Sequence, residues 1–307
     1  MEPIRRVLVA GYGVMGRGIA KSFADGGFET WVLSRRAKSL SDLPRGVTAV
    51  DTLPQDVPDL VVETVEEEIA SKRAVYEAIE AAYPPSVIVG TNTSGLVLEE
   101  LAALFKAPER FCGIHYFQPA DVFPMVEVIA GPSMLRATVD RVADAIRGTG
   151  KEPVVQMRAV PGFLINRLQH AVLHEAYHLI ASGVCTPAEV DMVAKWMLGP
   201  RMCVTGLIEQ KDISGLTIHA KAQQGIVPHL AHTNVPNEWV QQMIAGGDLG
   251  LKTGRGFYDW SNCDAKATAA QASQRVEAVL AFLRQLHSKT APATTPQPRP
   301  EHRGESR

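Results

Sequence analysis

A histidine and a glutamate in two consecutive apolar segments could form an acid–base pair. His115 follows the apolar run 111–114, and Glu127 lies inside the run P-M-V-E-V-I. A carboxylate in such a run needs a partner, and an imidazole suits it because the carboxylate fixes the imidazole tautomer and stabilises the imidazolium. Taken singly, His115 could be a hydrogen-bonded core histidine and Glu127 a solvated edge residue. Together they predict a general base and the group that orients it.

Three glycines near the start of the chain have the spacing of a dinucleotide-binding turn. Gly11, Gly13 and Gly16 follow a short apolar strand in the pattern G-x-G-x-x-G. In that pattern the first glycine makes the tight turn, the second admits a pyrophosphate, and the third lets the next helix approach the strand. A glycine-rich turn without a ligand is the alternative. Because strand, helix and second strand all have the expected spacing, we predict a cofactor site that includes Val14 and Met15.

The residues after the second predicted strand bear on the choice of dinucleotide. The strand is predicted over Thr30–Leu33, and Ser34, Arg35 and Arg36 follow it. A carboxylate at this place would repel a 2′-phosphate, whereas a serine and a guanidinium fork can hold one. Two solvated arginines are the alternative. The pattern predicts that NADP(H) is the preferred cofactor and that NAD(H) is possible.

Short β-rich runs alternate with helical patterns up to about residue 159. Such alternation is typical of a parallel, doubly wound sheet and predicts a Rossmann-type α/β domain over residues 1–159. From Gly162 the apolar spacing becomes helical, which predicts an all-helical C-terminal domain over residues 160–287. Within it, single helices are predicted over Ile213–Gln224 and Ala265–Leu286. Residues 288–307 are rich in Pro, Thr, Arg and Glu and are predicted to be a disordered tail.

Composition and charge narrow the possible partners. The 307 residues carry a formal net charge of -2 and are 46% hydrophobic, so neither nucleic acid nor an anionic membrane is an expected partner. The four cysteines form no C-x-x-C pair, and no apolar run approaches the ~20 residues of a membrane span. The first strand begins within a few residues of Met1, which leaves no room for a signal peptide. We expect a cytoplasmic protein that binds a small molecule.

The order of the motifs resembles the 3-hydroxyacyl-CoA dehydrogenase family. G-x-G-x-M-G, N-T-S, H-x-F-x-P, V-E-V and P-G-F-x-x-N-R occur in sequence, and the resemblance extends from about Val7 to Trp260. It implies a dehydrogenase in which His115 is the general base and Glu127 orients it. Ser94 would bond the reacting oxygen, and Asn166 would close the site from the helical domain. The resemblance also implies a homodimer formed through that domain.

Further cofactor contacts are implied by the resemblance alone. They involve Val65, Glu67, Lys72 and Asn92, for which loop turns and a solvated helix start are the alternatives.

A stripe of three histidines offers a possible metal site. His170, His174 and His178 follow Asn166 at intervals of four and share one helix face. No nearby carboxylate or cysteine completes a site, so we expect a polar face lining the substrate rather than a metal.

Two departures from the family pattern suggest a compact substrate and a different cofactor. The family usually has an aspartate where this chain has Ser34. It also carries a long helical hairpin, which contributes to CoA binding, where this chain has only a short polar link up to Val47. We therefore expect a free 3-hydroxy or 3-oxo acid, as for short members that resemble carnitine or gulonate dehydrogenases.

Three alternatives remain open. The first is an NAD-dependent 3-hydroxyacyl-CoA dehydrogenase. The second is an enzyme of the 6-phosphogluconate and β-hydroxyacid dehydrogenase type, which relies on a helical-domain lysine that residues 162–182 lack. The third is a non-catalytic nucleotide sensor or crystallin-like protein, against which the set Ser94, His115, Glu127 and Asn166 argues.

Overall fold

The fold is taken from a computed structural model that describes residues 2–290, with side chains described for residues 2–287. The chain divides into two compact units, the first ending at Val172 and the second beginning at Leu173. This division falls inside the helix Phe163–Ala181. The domain boundary between residues 159 and 160 stays a prediction.

The first unit is built around one eight-stranded sheet. Its strands are β1 (Arg6–Ala10), β2 (Glu29–Leu33), β3 (Val47–Val50), β4 (Leu60–Glu63), β5 (Ile88–Thr91), β6 (Phe111–His115), β7 (Met125–Ala130) and β8 (Glu152–Gln156). The spatial order is β3-β2-β1-β4-β5-β6-β7-β8. All neighbouring strands are parallel except β6 and β7. The predicted Rossmann-type α/β architecture is confirmed.

The sheet departs from the parallel arrangement between one pair of strands. β7 runs antiparallel to β6 and pairs Glu127 directly with His115. The connection between them, residues 116–124, contains turns but no helix, and a parallel crossover needs a dozen or more residues. The reversal therefore follows from a short connection, and it brings the two candidate catalytic residues side by side.

Helices cover both faces of this sheet. They are α1 (Val14–Asp25), α2 (Ile69–Ala82), α3 (Leu98–Ala102) and α4 (Arg136–Gly148). Alternate residues of β1 enter different cores, since Val7 and Val9 pack on one face and Leu8 and Ala10 on the other. Burial on both faces explains why the strands read as nearly continuous apolar runs.

The glycine-rich turn joins β1 to α1 as predicted. Gly11 has a φ of +115°, and a Cβ atom there would lie 2.6 Å from the carbonyl oxygen of Thr64. A Cβ atom on Gly16 would collide with the carbonyl oxygen of Gly11. Both positions therefore require glycine for the turn itself to form.

The second unit is helical. It begins within α5 (Phe163–Ala181) and continues with α6 (Pro187–Val193), α7 (Gly199–Thr205), α8 (Glu209–Ser214), α9 (Leu216–Ile226), α10 (Glu238–Ala245) and α11 (Ala265–Thr290). The single helix expected over Ile213–Gln224 is wrong, because Gly215, with a φ of +92°, separates α8 from α9. α11 continues to Thr290, so residues 288–290 are helical and not part of a disordered tail. The rest of the predicted tail lies outside the described residues.

Apolar side chains of the second unit are largely exposed. Among its described side chains only Ala176 is buried. Trp196 is 79% exposed, Ile208 75% and Ile218 70%. An exposed apolar surface of this extent is typical of an interaction interface. Within the described part of the chain, no helix combines the length and apolar character needed to cross a membrane.

Candidate active site

The carboxyl ends of the parallel strands β1, β4, β5 and β6 meet at one edge of the sheet, where open α/β sheets bind their ligands. His115 ends β6, and Asn92 and Ser94 follow β5. Val65 and Glu67 follow β4. The structure thus brings most of the predicted site residues to the same edge as the glycine-rich turn.

His115 and Glu127 form a close, buried pair. His115 Nδ1 lies 2.7 Å from Glu127 Oε2, and the two residues are only 5% and 1% exposed. An ionised carboxylate can only accept hydrogen bonds, so Nδ1 carries the proton and donates a hydrogen bond to Glu127. The neutral ring then has Nε2 as an acceptor, and no hydrogen bond to Nε2 occurs within residues 2–287. This is the tautomer that a general base requires.

The second oxygen of Glu127 is held by three further donors. Oε1 accepts from Gln156 Nε2 at 2.9 Å, from the N–H of Leu164 at 2.9 Å and from the N–H of Ile165 at 3.0 Å. The last two belong to the first turn of α5, whose dipole favours negative charge. Burial alone would raise the pKa of Glu127, but the His115 and backbone donors outweigh it and hold that pKa below its usual value. The carboxylate is ionised at neutral pH.

A sharp bend in the backbone brings the start of α5 to this carboxylate. Gly162 and Phe163 have φ values of +78° and +50°, and the left-handed region is costly for a bulky residue such as phenylalanine. The Phe163 ring lies 5.5 Å from the His115 ring, and the Phe117 ring lies 4.6 Å from it. The strained residue therefore packs against the imidazole while the next two N–H groups reach Glu127.

Asn166 lies on the first turn of the same helix, half-buried, and its side chain makes no hydrogen bond within residues 2–287. Further along the stripe, His170 and His178 are exposed, and His174 Nε2 lies 2.9 Å from Thr233 Oγ1. No group of three or more possible metal ligands occurs in the described part of the chain.

Lys72, for which the resemblance implies a cofactor contact, lies inside the protein. Lys72 is 0% exposed, and its ammonium group is occupied by Glu63 Oε1 at 2.9 Å and by Glu67 Oε2 at 3.2 Å. The physical reason is helical spacing, because Lys72 shares the buried face of α2 with Tyr76 and Ile79. That spacing could have signalled a buried lysine.

Glu63 is a buried carboxylate that the sequence reasoning missed. It is the last residue of β4 and is 0% exposed. Besides Lys72, it accepts from Tyr76 Oη at 2.8 Å, Thr91 Oγ1 at 2.7 Å and the N–H of Val65 at 2.8 Å. A glutamate that ends an otherwise apolar strand was the available signal.

Asn92 joins the ends of three strands. Its Oδ1 accepts from the N–H of Tyr116 after β6 at 2.9 Å, and its Nδ2 lies 3.4 Å from Thr64 Oγ1 after β4. These bonds fix the spacing of the three loops that carry the other site residues.

The residues at the glycine-rich turn fit a dinucleotide. Gly13 precedes α1 with no side-chain cap, and a Cβ atom on Gly13 would meet nothing within 4 Å. The open space at this position, next to the N–H groups of a helix start, suits the close approach of a pyrophosphate. Ser34 follows the neighbouring strand β2 and accepts from the N–H of Arg36 at 3.2 Å, while Arg35 and Arg36 extend into solvent.

A Rossmann-type sheet with a glycine-rich turn and a histidine–glutamate pair at one edge defines an oxidoreductase that uses a nicotinamide dinucleotide. Comparison with known protein families leads to the same class of protein. Residues 42–159 match the 3-hydroxyacyl-CoA dehydrogenase NAD binding domain, and residues 162–260 match the 3-hydroxyacyl-CoA dehydrogenase C-terminal domain. The protein belongs to the 3-hydroxyacyl-CoA dehydrogenase family, which confirms the resemblance found in its motifs.

Several dehydrogenases are similar over most of the chain. 5-Formyl-3-hydroxy-2-methylpyridine 4-carboxylate 5-dehydrogenase of Mesorhizobium japonicum is 30% identical and covers 91% of this chain and 98% of its own. A solved structure of an enzyme of that name, described as an NAD+ dependent dismutase, superposes with a TM-score of 0.83 at 31% identity, covering 92% of this chain and 99% of that one.

Relatives with other substrates match as well. A probable 3-hydroxybutyryl-CoA dehydrogenase of Bacillus subtilis is 30% identical over 84% of this chain and 98% of its own. L-carnitine dehydrogenase of Streptomyces coelicolor is 31% identical over 67% of this chain and 72% of its own.

The lowered pKa of Glu127 predicts a pH-dependent effect of its removal. Glu127 stabilises the fold fully above its unfolded pKa of about 4.3, and this contribution is lost as pH falls through the lower folded pKa. We expect Glu127→Gln to reduce the free energy of unfolding by about 3 kcal/mol at pH 7, and the difference to shrink toward pH 3. Denaturant titrations measure it.

Glu152→Gln is the matched control, since Glu152 is exposed on the neighbouring strand β8. It should change stability by less than about 0.5 kcal/mol. A Glu127→Gln penalty that stays constant down to pH 3 would contradict a role for the ionised carboxylate.

Proposed function

We propose that this protein transfers a hydride between NADP(H) and a 3-hydroxy or 3-oxo acid, with His115 as the general acid–base. The 2.7 Å contact between His115 Nδ1 and Glu127 Oε2 carries the proposal, because it leaves Nε2 as a proton acceptor. The bound nicotinamide supplies the hydride acceptor at its C4. In the oxidation, His115 Nε2 takes the hydroxyl proton as the carbinol C–H bond breaks and the carbonyl forms. Glu127 stabilises the resulting imidazolium.

Ser94 and Asn166 would bind the substrate rather than titrate. Ser94 is exposed after β5, where its hydroxyl can donate to the reacting oxygen. Asn166 lies within one turn of the N–H groups that bond Glu127, so its amide can bind the substrate beside the pair. Val65, after β4, would contact the cofactor, and Asn92, after β5, would do so beside the nicotinamide.

The proposed preference for NADP(H) rests on the end of β2. Ser34 replaces the aspartate usual in the family, and two solvent-exposed guanidinium groups follow on Arg35 and Arg36. A 2′-phosphate would gain charge-assisted hydrogen bonds from such groups. NAD(H) is the alternative, because the family domain is an NAD-binding one and the similar solved structure is that of an NAD+ dependent enzyme.

The short connection between β2 and β3 supports a compact substrate. Residues 34–46 contain a single 3-10 turn, Ala37–Ser39, where family members that bind CoA carry a helical hairpin. The similarity to L-carnitine dehydrogenase, whose name denotes a free hydroxy acid, points the same way. A 3-hydroxyacyl-CoA substrate is the alternative that the Bacillus subtilis relative favours.

A second candidate substrate is an aldehyde on an aromatic carboxylate. The pyridine carboxylate dehydrogenase of Mesorhizobium japonicum aligns over 98% of its length, and the solved structure of that name gives a TM-score of 0.83. A hydrated aldehyde presents the same H–C–O–H group as a secondary alcohol. His115 would take a proton from one hydroxyl, and the product would be the carboxylic acid.

The exposed apolar side chains of the second unit support a homodimer formed through the helical domain. Trp196, Ile208 and Ile218 would lose contact with water in such an interface.

The four cysteines, Cys112, Cys185, Cys203 and Cys263, are free thiols, which supports a cytoplasmic location.

His115→Asn should lower kcat by about 10²- to 10⁴-fold, the usual contribution of general acid–base catalysis. The dissociation constant of the dinucleotide should stay within about twofold. The assay uses short 3-hydroxy acids, their CoA esters and formylated aromatic carboxylates, each with NADP+ and NAD+. His170→Asn, on the exposed face of α5, is the control. A variant that keeps more than about a tenth of the wild-type kcat would refute the proposed base.

Fluorescence titration should show that NADPH binds at least several-fold more tightly than NADH. Arg35→Ala and Arg36→Ala should each weaken NADPH binding by about fivefold, the effect of one exposed charge pair of ~1 kcal/mol, and leave NADH binding unchanged. Arg45→Ala, an exposed arginine on the same connection, should alter neither. Equal affinities of the wild type for both dinucleotides would exclude the preference.

Sedimentation velocity at micromolar concentration should give a dimer of about 67 kDa, twice the 33.3 kDa chain mass. Trp196→Glu should shift the distribution toward monomer because it places a charge in the apolar surface. A monomeric wild-type protein would contradict the interface.

A further inference from the structure

The buried carboxylate at the end of β4 is surrounded by donors from three parts of the chain. Glu63 Oε1 accepts from Lys72 Nζ at 2.9 Å and from the N–H of Val65 at 2.8 Å. Its Oε2 accepts from Lys72 Nζ at 3.0 Å, from Tyr76 Oη at 2.8 Å and from Thr91 Oγ1 at 2.7 Å. Glu63 has no exposed surface, so it can act on a ligand only through these partners.

The loop that follows Glu63 packs on the glycine-rich turn. We define the β4 loop as residues 64–68, between β4 and α2. A Cβ atom on Gly11 would lie 2.6 Å from the carbonyl oxygen of Thr64, and one on Gly16 would lie 3.1 Å from the Thr64 methyl group. The β4 loop is therefore in direct contact with the turn that suits a pyrophosphate, and a shift of this loop would change the shape of the dinucleotide site.

Lys72 connects Glu63 to a carboxylate on the same loop. Its ammonium group lies 3.2 Å from Glu67 Oε2, and 39% of the Glu67 side chain is exposed, whereas Lys72 is fully buried. A buried ammonium group is tolerated only when anionic partners compensate its lost hydration. Without Glu63, Lys72 would have Glu67 as its one carboxylate partner among the described residues, so the exposed end of this network would change as well.

We propose that Glu63 is a positioning residue for dinucleotide binding, which holds the β4 loop against the glycine-rich turn and holds Lys72 beside Glu67. The proposal rests on the proposed function for the presence of the dinucleotide and is independent of the substrate. It agrees with the cofactor contacts that the resemblance implies for Val65, Glu67 and Lys72. Two of these residues are bonded to Glu63 directly, and Glu67 is joined to it through Lys72.

Dinucleotide titration tests this role. Glu63→Ala removes all the acceptors, whereas Glu63→Asp keeps the charge but is one methylene too short to reach both Lys72 and the N–H of Val65. Fluorescence titration with NADPH and with NADH should give dissociation constants raised by about tenfold or more in Glu63→Ala and by about threefold or more in Glu63→Asp. If Glu63→Ala does not fold, Glu63→Asp decides the test, because it leaves no buried ammonium group without a carboxylate.

Tyr76→Phe is the matched control. Tyr76 donates to Glu63 from α2, and burial together with the charge of Glu63 raises the pKa of Tyr76, which keeps its hydroxyl protonated. The variant removes this one bond and keeps the ring that packs against Phe105 and Phe111, while Lys72 and the β4 loop keep their bonds to Glu63. It should lower the unfolding temperature, as the Glu63 variants do, and leave both dissociation constants within about twofold of the wild type.

A purely structural role for Glu63 gives a different pattern. Unchanged dinucleotide affinity in folded Glu63→Asp would overturn the proposal, and so would an equal loss of affinity in Tyr76→Phe, because the loss would then follow stability alone.

Amide hydrogen exchange provides a readout that needs no substrate. Peptides covering residues 64–68 should exchange faster in Glu63→Asp than in the wild type and in Tyr76→Phe, because the N–H of Val65 loses its acceptor. Unchanged exchange would refute the proposed hold on the β4 loop. Inactivity of the wild type on every substrate tested would refute the proposed reaction instead, and a loss of dinucleotide affinity in Glu63→Asp but not in Tyr76→Phe would still support the role of Glu63.

Discussion

The burial of the Glu127 carboxylate is the constraint on which the arrangement of the site depends. An ionised carboxylate that is 1% exposed is tolerated only when donors replace the lost water. Here they come from three elements, namely β6 through His115, β8 through Gln156 and α5 through two backbone N–H groups. The same bonds that compensate burial also select the imidazole tautomer and fix where α5 begins. The geometry of the His115–Glu127 pair and the fold around it therefore both follow from the need to compensate one desolvated charge.

A second buried carboxylate, at the end of β4, is likewise surrounded by hydrogen-bond donors. Glu63 ends β4 as His115 ends β6, and its bonds to Val65 and Thr91 connect the loop after β4 to the end of β5. Lys72 pairs with Glu63 and also lies 3.2 Å from Glu67 Oε2, and the other oxygen of Glu67 accepts from the N–H groups of Ser94 and Gly95. Groups that must be placed precisely are thereby supported from rigid strands rather than from the loops themselves. The two carboxylates lie on opposite sides of β5 and β6 in sheet order and so constrain the candidate site from both directions.

Local patterns made much of this fold predictable, and long-range contacts explain what they missed. The strands of the doubly wound sheet are short, apolar and bounded by turns, and the capping box at Thr186 marks the start of α6. The reversal of β7 depends on the length of the connection before it, and the break between α8 and α9 depends on the φ value of Gly215. Hydrophobic periodicity reports neither of them. His115 and Glu127 could be paired by residue type alone. Their further donors could not, because the N–H groups of α5 carry no sequence signature, and Lys72 is buried only because its helix face packs against the sheet.

The connection between β2 and β3 couples the cofactor question to the substrate question. It lacks the helical hairpin expected of a CoA-binding member, and it is held against the glycine-rich turn instead. Tyr12 Oη donates to the Asp42 carbonyl oxygen at 3.1 Å, and Arg17 Nε lies 3.1 Å from Asp42 Oδ2. These exposed contacts are individually weak, yet they keep a short chain segment close to Ser34 and the two arginines after it. Under the proposed function, the short connection would therefore bear both on the size of the substrate and on the surroundings of the adenosine ribose.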